Sequence, residues 1–196
     1  MVAAFALVLG LSSFAADEIP LYSVQPYLRQ RFDDVGKALR FQGNSAADVG
    51  PWRTKSRTVL ERLLGLDTMK PCALEPKITE SVDCGDYTRE RVELHTEPGI
   101  VMPVYVLVPK AGKAPFPVVI CPHGHGGGGK AAVAGVKDNP KIADAIKSFN
   151  YDYGAAFCKA GCIAVCSDAR GFGERQENAA KSDVLNSSCQ WINQMA

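Results

Sequence analysis

A short apolar run, Val118-Val119-Ile120-Cys121, stops at Pro122 and opens into His123-Gly124-His125-Gly126-Gly127-Gly128-Gly129-Lys130. No other stretch restricts the fold as much. An apolar run of this length, ended by a breaker, predicts a buried strand. Glycines in series lack the Cβ that keeps a ligand off the backbone, so successive N–H groups can converge on one point. A loop of this kind at a strand end holds an anion or stabilises a developing oxyanion.

A second apolar run, Cys162 to Ser167, opens into Asp168-Ala169-Arg170-Gly171-Phe172-Gly173-Glu174-Arg175. Between the two runs, Pro140 to Phe149 and Tyr153 to Lys159 read as helices, the second ended by Gly161. Upstream, Lys77 to Val108 has a period of two. Tyr87, Arg89, Arg91, Glu93 and His95 alternate with Thr88, Glu90, Val92, Leu94 and Thr96, and Glu97-Pro98-Gly99 makes a turn into Ile100 to Val108. This predicts consecutive antiparallel strands. Pro103 predicts that the last of them lies at an edge or carries a bulge. Trp52 to Leu64 is an amphipathic helix, with Val59, Leu60, Leu63 and Leu64 among basic residues and Gly65 as its stop. A shorter helix is expected within Pro20 to Arg40. Antiparallel strands leading into a strand–helix–strand unit indicate an α/β fold whose sheet becomes parallel and is flanked by helices. Ligands of such sheets sit beyond the carboxyl ends of the strands, where both unusual loops fall.

The 196 residues allow one domain. A net charge of +1 and the lack of a basic patch interleaved with aromatics give no support to nucleic-acid binding. Val2 to Leu11 has the length and apolarity of a signal peptide, and Ser13-Phe14-Ala15 places small residues where a signal peptidase reads. Residues 1–15 are therefore expected to be a signal peptide, 20–196 the folded part, and the protein secreted or periplasmic with no other membrane segment. Cys72, Cys84, Cys121, Cys158, Cys162, Cys166 and Cys189 are odd in number and include no C-x-x-C. They are expected to act as buried small hydrophobes.

The glycine loop has two readings. Gly124 to Lys130 fits the G-x-x-x-x-G-K of a phosphate loop, with Asp168 ending the next apolar strand. But Ala131 stands where a hydroxyl should meet magnesium, and antiparallel strands come first. The second reading is an oxyanion loop. His-Gly followed by further glycines after a buried strand resembles the corresponding loop of the α/β-hydrolases. The resemblance extends to Arg62-Leu63-Leu64-Gly65-Leu66, to the strands around Tyr87, Arg89-Glu90 and Val92, and to Val101-Met102-Pro103-Val104-Tyr105-Val106-Leu107-Val108-Pro109. Pro117-Val118-Val119-Ile120 and the Asp168 to Arg175 loop complete it. From Trp52 to Arg175 the chain resembles the acetyl xylan esterase and dienelactone hydrolase-like branch of that superfamily.

The resemblance implies hydrolysis of a carboxylic ester, such as an acetyl ester on a carbohydrate, through a serine acyl-enzyme and with no metal or organic cofactor. It makes His125 and Gly126 the candidate oxyanion donors, with His123, Gly124, Gly127, Asp168 and Arg170 shaping the site. Asp168 and Arg170 are expected to brace the loops, as an ion pair or through loop hydrogen bonds, and Glu174 and Arg175 to be solvated loop charges. One departure stands out: the sequence contains no G-x-S-x-G, and its histidines, His95, His123 and His125, all precede the place where that elbow should fall. Ser167 ends a strand without elbow glycines. His123 and His125, with His95, could be considered metal ligands, but a structural role for His123, bonded to the loop backbone, is expected. The catalytic triad is thus expected to be missing from this chain, which reads as the N-terminal portion of a hydrolase domain with an unpaired apolar sheet edge. Such an edge allows self-association. The rival reading is a non-catalytic truncated or binding module on a hydrolase scaffold.

Overall fold

The computed structural model describes residues 22–125, 128–177, 183–185 and 187–188. The expected signal segment, Gly126, Gly127, Cys189 and most of the stretch after Glu177 lie outside them. The chain divides into two compact units, Met1–Thr68 and Met69–Ala196.

In the first unit, α1 (Gln25–Arg31) runs into a single wider turn, Phe32–Gly36. A Ser45–Asp48 capping box precedes α2 (Val49–Leu63): the Asp48 carboxylate accepts from the Ser45 N–H at 3.0 Å and the Ser45 hydroxyl at 2.7 Å. The stop falls at Gly65, whose φ of +67° only glycine adopts freely, and the Leu66 N–H closes back on the Glu61 carbonyl. Trp52 donates its indole N–H to the Leu39 carbonyl and meets Phe41 edge-on. Of the predicted apolar stripe, Val59 is half-buried and Leu60, Leu63 and Leu64 are exposed.

The second unit is built on a five-stranded sheet of order β1-β2-β3-β5-β4. Its strands are β1 (Lys77–Asp83), β2 (Tyr87–Glu97), β3 (Ile100–Pro109), β4 (Val118–Pro122) and β5 (Ile163–Ser167). β1, β2, β3 and β5 pair antiparallel in turn, whereas β5 and β4 are parallel. A parallel pair needs a long crossover, because the chain must return to the same end of the sheet. Here α3 (Gly129–Val133), α4 (Pro140–Phe149) and α5 (Tyr153–Lys159) supply it. α4 starts where Asn139 accepts the Lys141 N–H at 2.9 Å with Pro140 in the first turn. α3 and α5 cover one face of the sheet. Tyr87, Leu107, Ala164, Cys121 and Cys166 from the strands pack there with Val133, Ala155 and Cys158 from the helices. The three buried cysteines serve as small apolar side chains. Burial pushes each thiol above its usual pKa, Cys158 to about 11.

Pro103 corrects one expectation. β3 is an inner strand, flanked by β2 and β5. Proline is tolerated because β5 pairs only with Val104 to Leu107, so Pro103 sits just outside the second ladder. The bulge in the β2–β3 ladder lies instead between His95 and Glu97. Among the described residues β4 is an edge strand, and Val118 and Ile120 are 61% and 73% exposed on it. No helix among the described residues is long and apolar enough to cross a membrane.

Candidate active site

β4 and β5 run parallel and in register to their last residues, Pro122 opposite Ser167. His123 and Asp168 therefore leave the sheet side by side, and the two loops are tied together at once. The Ala169 N–H donates to His123 Nε2 at 3.0 Å. A nitrogen that accepts carries no proton, so the His123 proton sits on Nδ1, which donates to the Gly124 carbonyl at 2.9 Å. Both ring nitrogens are thus committed to backbone. Phe172 lies against both histidines, its ring 4.9 Å from that of His123 and 5.2 Å from that of His125. His125 is exposed, with Nε2 3.5 Å from the Ser187 hydroxyl. His95 is in the β2 ladder opposite Val101.

The centre of the arrangement is Asp168. Its carboxylate is 1% exposed and accepts three hydrogen bonds: the Lys130 N–H at 2.7 Å, Lys130 Nζ at 2.6 Å and the Glu174 N–H at 3.1 Å. Two glycines make room for it. Gly129 has a φ of +65° and Gly173 of +52°, and a Cβ on either would land on the carboxylate. Lys130 is 2% exposed and also bonds Glu174 at 2.5 Å. Glu174 in turn takes Arg91 Nη2 at 2.6 Å, and Arg91 Nη1 reaches Glu93 at 2.9 Å and Thr79 at 2.7 Å. Burial works against the Glu174 anion, but the bonds from Arg91 and Lys130 outweigh it and hold the carboxyl below its usual range. The Tyr105 ring carries two cations, Arg89 and Lys130, each at 5.2 Å. Beside Tyr105, Lys130 and Asp168 lies a cavity of about 310 Å³, closed on its apolar side by Ala131, Ile142 and Val184.

The structure thus brings His123, Gly124, His125, Asp168 and Arg170 to one end of the sheet; Gly126 and Gly127 fall outside the described residues. Asp168 and Arg170 do not pair with each other: Asp168 pairs with Lys130 and Arg170 with Glu97. Of the two expected solvated loop charges, Glu174 is exposed but ion-paired, and Arg175 is not solvated. Glu174 bridges Lys130 and Arg91, and Arg175 is half-buried and donates to the Asp168 carbonyl at 3.0 Å. In the sequence Lys130 only closes the glycine loop, with no role outside the disfavoured phosphate-loop reading; in the fold its ammonium is taken up by two carboxylates. In the sequence Arg91 is only one residue of an alternating strand. The signal that could have found it is the charge on a strand face that Tyr87 and Tyr105 mark as inward.

The model of the Abhydrolase family matches residues 21–190. No curated protein matches the chain. Among solved structures, the chain is similar to a protein of Bacteroides fragilis NCTC 9343 provisionally named an acetyl xylan esterase. The TM-score is 0.68 at 22% identity, over 93% of this chain and 46% of that one. It is also similar to a methylesterase, with a TM-score of 0.55 at 20% identity, over 75% of this chain and 30% of that one. At these identities the likeness is one of fold. The chain spans less than half the length of either.

Proposed function

Because the chain belongs to the Abhydrolase family, an α/β-hydrolase family with esterase-like relatives, we propose that it carries the oxyanion loop and pocket wall of a carboxylic ester hydrolase. One observation carries this reading. The in-register parallel ends of β4 and β5 set the glycine loop beside the Asp168 loop, and His123 pins the two together through the Ala169 N–H.

In the reaction proposed, a serine hydroxyl attacks the ester carbonyl, the carbonyl oxygen becomes an oxyanion, and the alcohol leaves to give an acyl-enzyme that water then hydrolyses. The loop's contribution is backbone N–H donation to that oxyanion from the His125–Gly126 region. One such donor is worth on the order of 3 kcal/mol in the transition state. Asp168 and Lys130 hold the loop's far end. The acetyl ester of a carbohydrate is the substrate class proposed, and the protein is proposed to act outside the cytoplasm. The serine, acid and base are proposed to lie outside these residues, since no G-x-S-x-G is present. The exposed edge of β4 is where a further parallel strand would add, and in its absence the same edge would pair with a second copy.

The isolated chain is therefore expected not to hydrolyse p-nitrophenyl acetate faster than a denatured control. Saturable turnover that disappears on replacing one serine within the chain would overturn the assignment of the nucleophile to another segment.

A further inference from the structure

A charge withdrawn from water is ordinarily paired. Around the 168–175 loop this holds for Asp168 with Lys130, for Glu174 with Lys130 and Arg91, and for Arg170 with Glu97. Arg175 differs. It is half-buried, and among the described residues its one side-chain hydrogen bond runs from Nη1 to the Asp168 carbonyl, a neutral acceptor. The Nε and Nη2 hydrogens lie on a single edge of the guanidinium and form a fork that matches the two oxygens of a carboxylate. Among the described residues nothing bonds that edge. Burial, and after it the like charge of Arg170, makes the charged form of Arg175 less favourable than that of an ordinary arginine, and the nearby Asp168 and Glu97 carboxylates offset this only in part.

Arg175 and Arg170 both line a cavity of about 470 Å³, with Ile100, Val101 and Pro103 as its apolar wall. Val104 pairs with Ser167, so the start of β3 and the loop after β5 meet at the same end of the sheet as His123. The cavity thus adjoins the candidate active site. Glu174 also lines it, but its oxygens are occupied by Lys130 and Arg91. Glu177 lines it as well and is exposed, where water and salt screen its charge.

We propose that this cavity is a carboxylate subsite, in which the Nε–Nη2 edge of Arg175 receives a carboxylate carried by the substrate or released as the product acid. Its assignment to substrate or product rests on the ester-hydrolase reading; the binding itself does not. A ligand titration therefore tests the subsite without any turnover. If hydrolysis is disproved, carboxylate binding is still expected. If hydrolysis is established and no carboxylate binds, the subsite alone falls.

The experiment follows the Arg175 Nε–H signal in ¹H–¹⁵N spectra of the chain. Sodium glucuronate, sodium acetate and glucose are titrated in turn at constant sodium concentration. Glucuronate is expected to move the signal saturably and glucose to leave it in place. Binding of glucuronate at least tenfold tighter than acetate identifies a sugar acid as the source; equal binding identifies the free product acid. Arg175→Gln is expected to lose the binding. Should that variant fail to fold, Arg175→Lys keeps the charge without the fork and is expected to bind at least tenfold more weakly, read from the backbone signals of Gly171 and Arg170. Failure of both acids to saturate, equal shifts with glucose, or undiminished binding by Arg175→Lys would each overturn the subsite.

Discussion

Replacing Asp168 with alanine is expected to lower the unfolding free energy of the Met69–Ala196 unit by about 3–5 kcal/mol, the usual cost of removing one partner from a buried ion pair. The carboxylate is nearly inaccessible and satisfies two backbone N–H groups and one ammonium. Without it the Lys130 ammonium, itself buried, keeps Glu174 alone, and the N–H groups of Lys130 and Glu174 lose their acceptor. Urea midpoints of the variant and the parent chain measure the loss. The pair's attraction is offset by the cost of desolvating both charges. Lys130→Met combined with Asp168→Leu should therefore be less destabilised than Asp168→Ala alone. A loss under about 1 kcal/mol for Asp168→Ala would mean that the carboxylate is solvated and braces nothing.

The second large effect is expected from Gly173→Ala. Forcing a residue with a Cβ into the left-handed region costs about 1–2 kcal/mol. That term alone applies at Gly85, which has a φ of +80° and open space around its missing Cβ. At Gly173 the added methyl also meets the Asp168 carboxylate. Displacing that group puts charge-assisted hydrogen bonds at stake, each worth about 1.5–3 kcal/mol. Gly173→Ala should thus lower the urea midpoint clearly more than Gly85→Ala. Equal losses at the two positions would show that the close approach of Gly173 to Asp168 does not contribute to stability.

Much of the fold was legible because it is written in local pattern. The period of two in Tyr87 to Thr96 became β2, the breakers around Pro140 and Gly161 bounded α4 and α5, and the apolar runs before Pro122 and Asp168 became the parallel pair. Pro103 misled because a proline reports only that one N–H is missing from a ladder. It cannot show that a five-residue neighbour stops one position short of it. The site was legible as two loops at one end of a sheet. The charge network was not. Lys130 and Asp168 are 38 residues apart, and Arg91 and Glu174 83 apart. Nothing in either neighbourhood tells a solvated charge from a buried one. Arg175 was hidden in the same way: its environment comes from Asp168 and Arg170, which reach it only after the loop has folded.

The serine nucleophile proposed for this scaffold is sought most directly by sequencing the source DNA past the codon for Ala196. The frame is expected to continue into an apolar strand and a G-x-S-x-G, with an acidic residue and then a histidine beyond. A stop codon directly after Ala196 would contradict the ester-hydrolase reading and leave binding as the function of the chain.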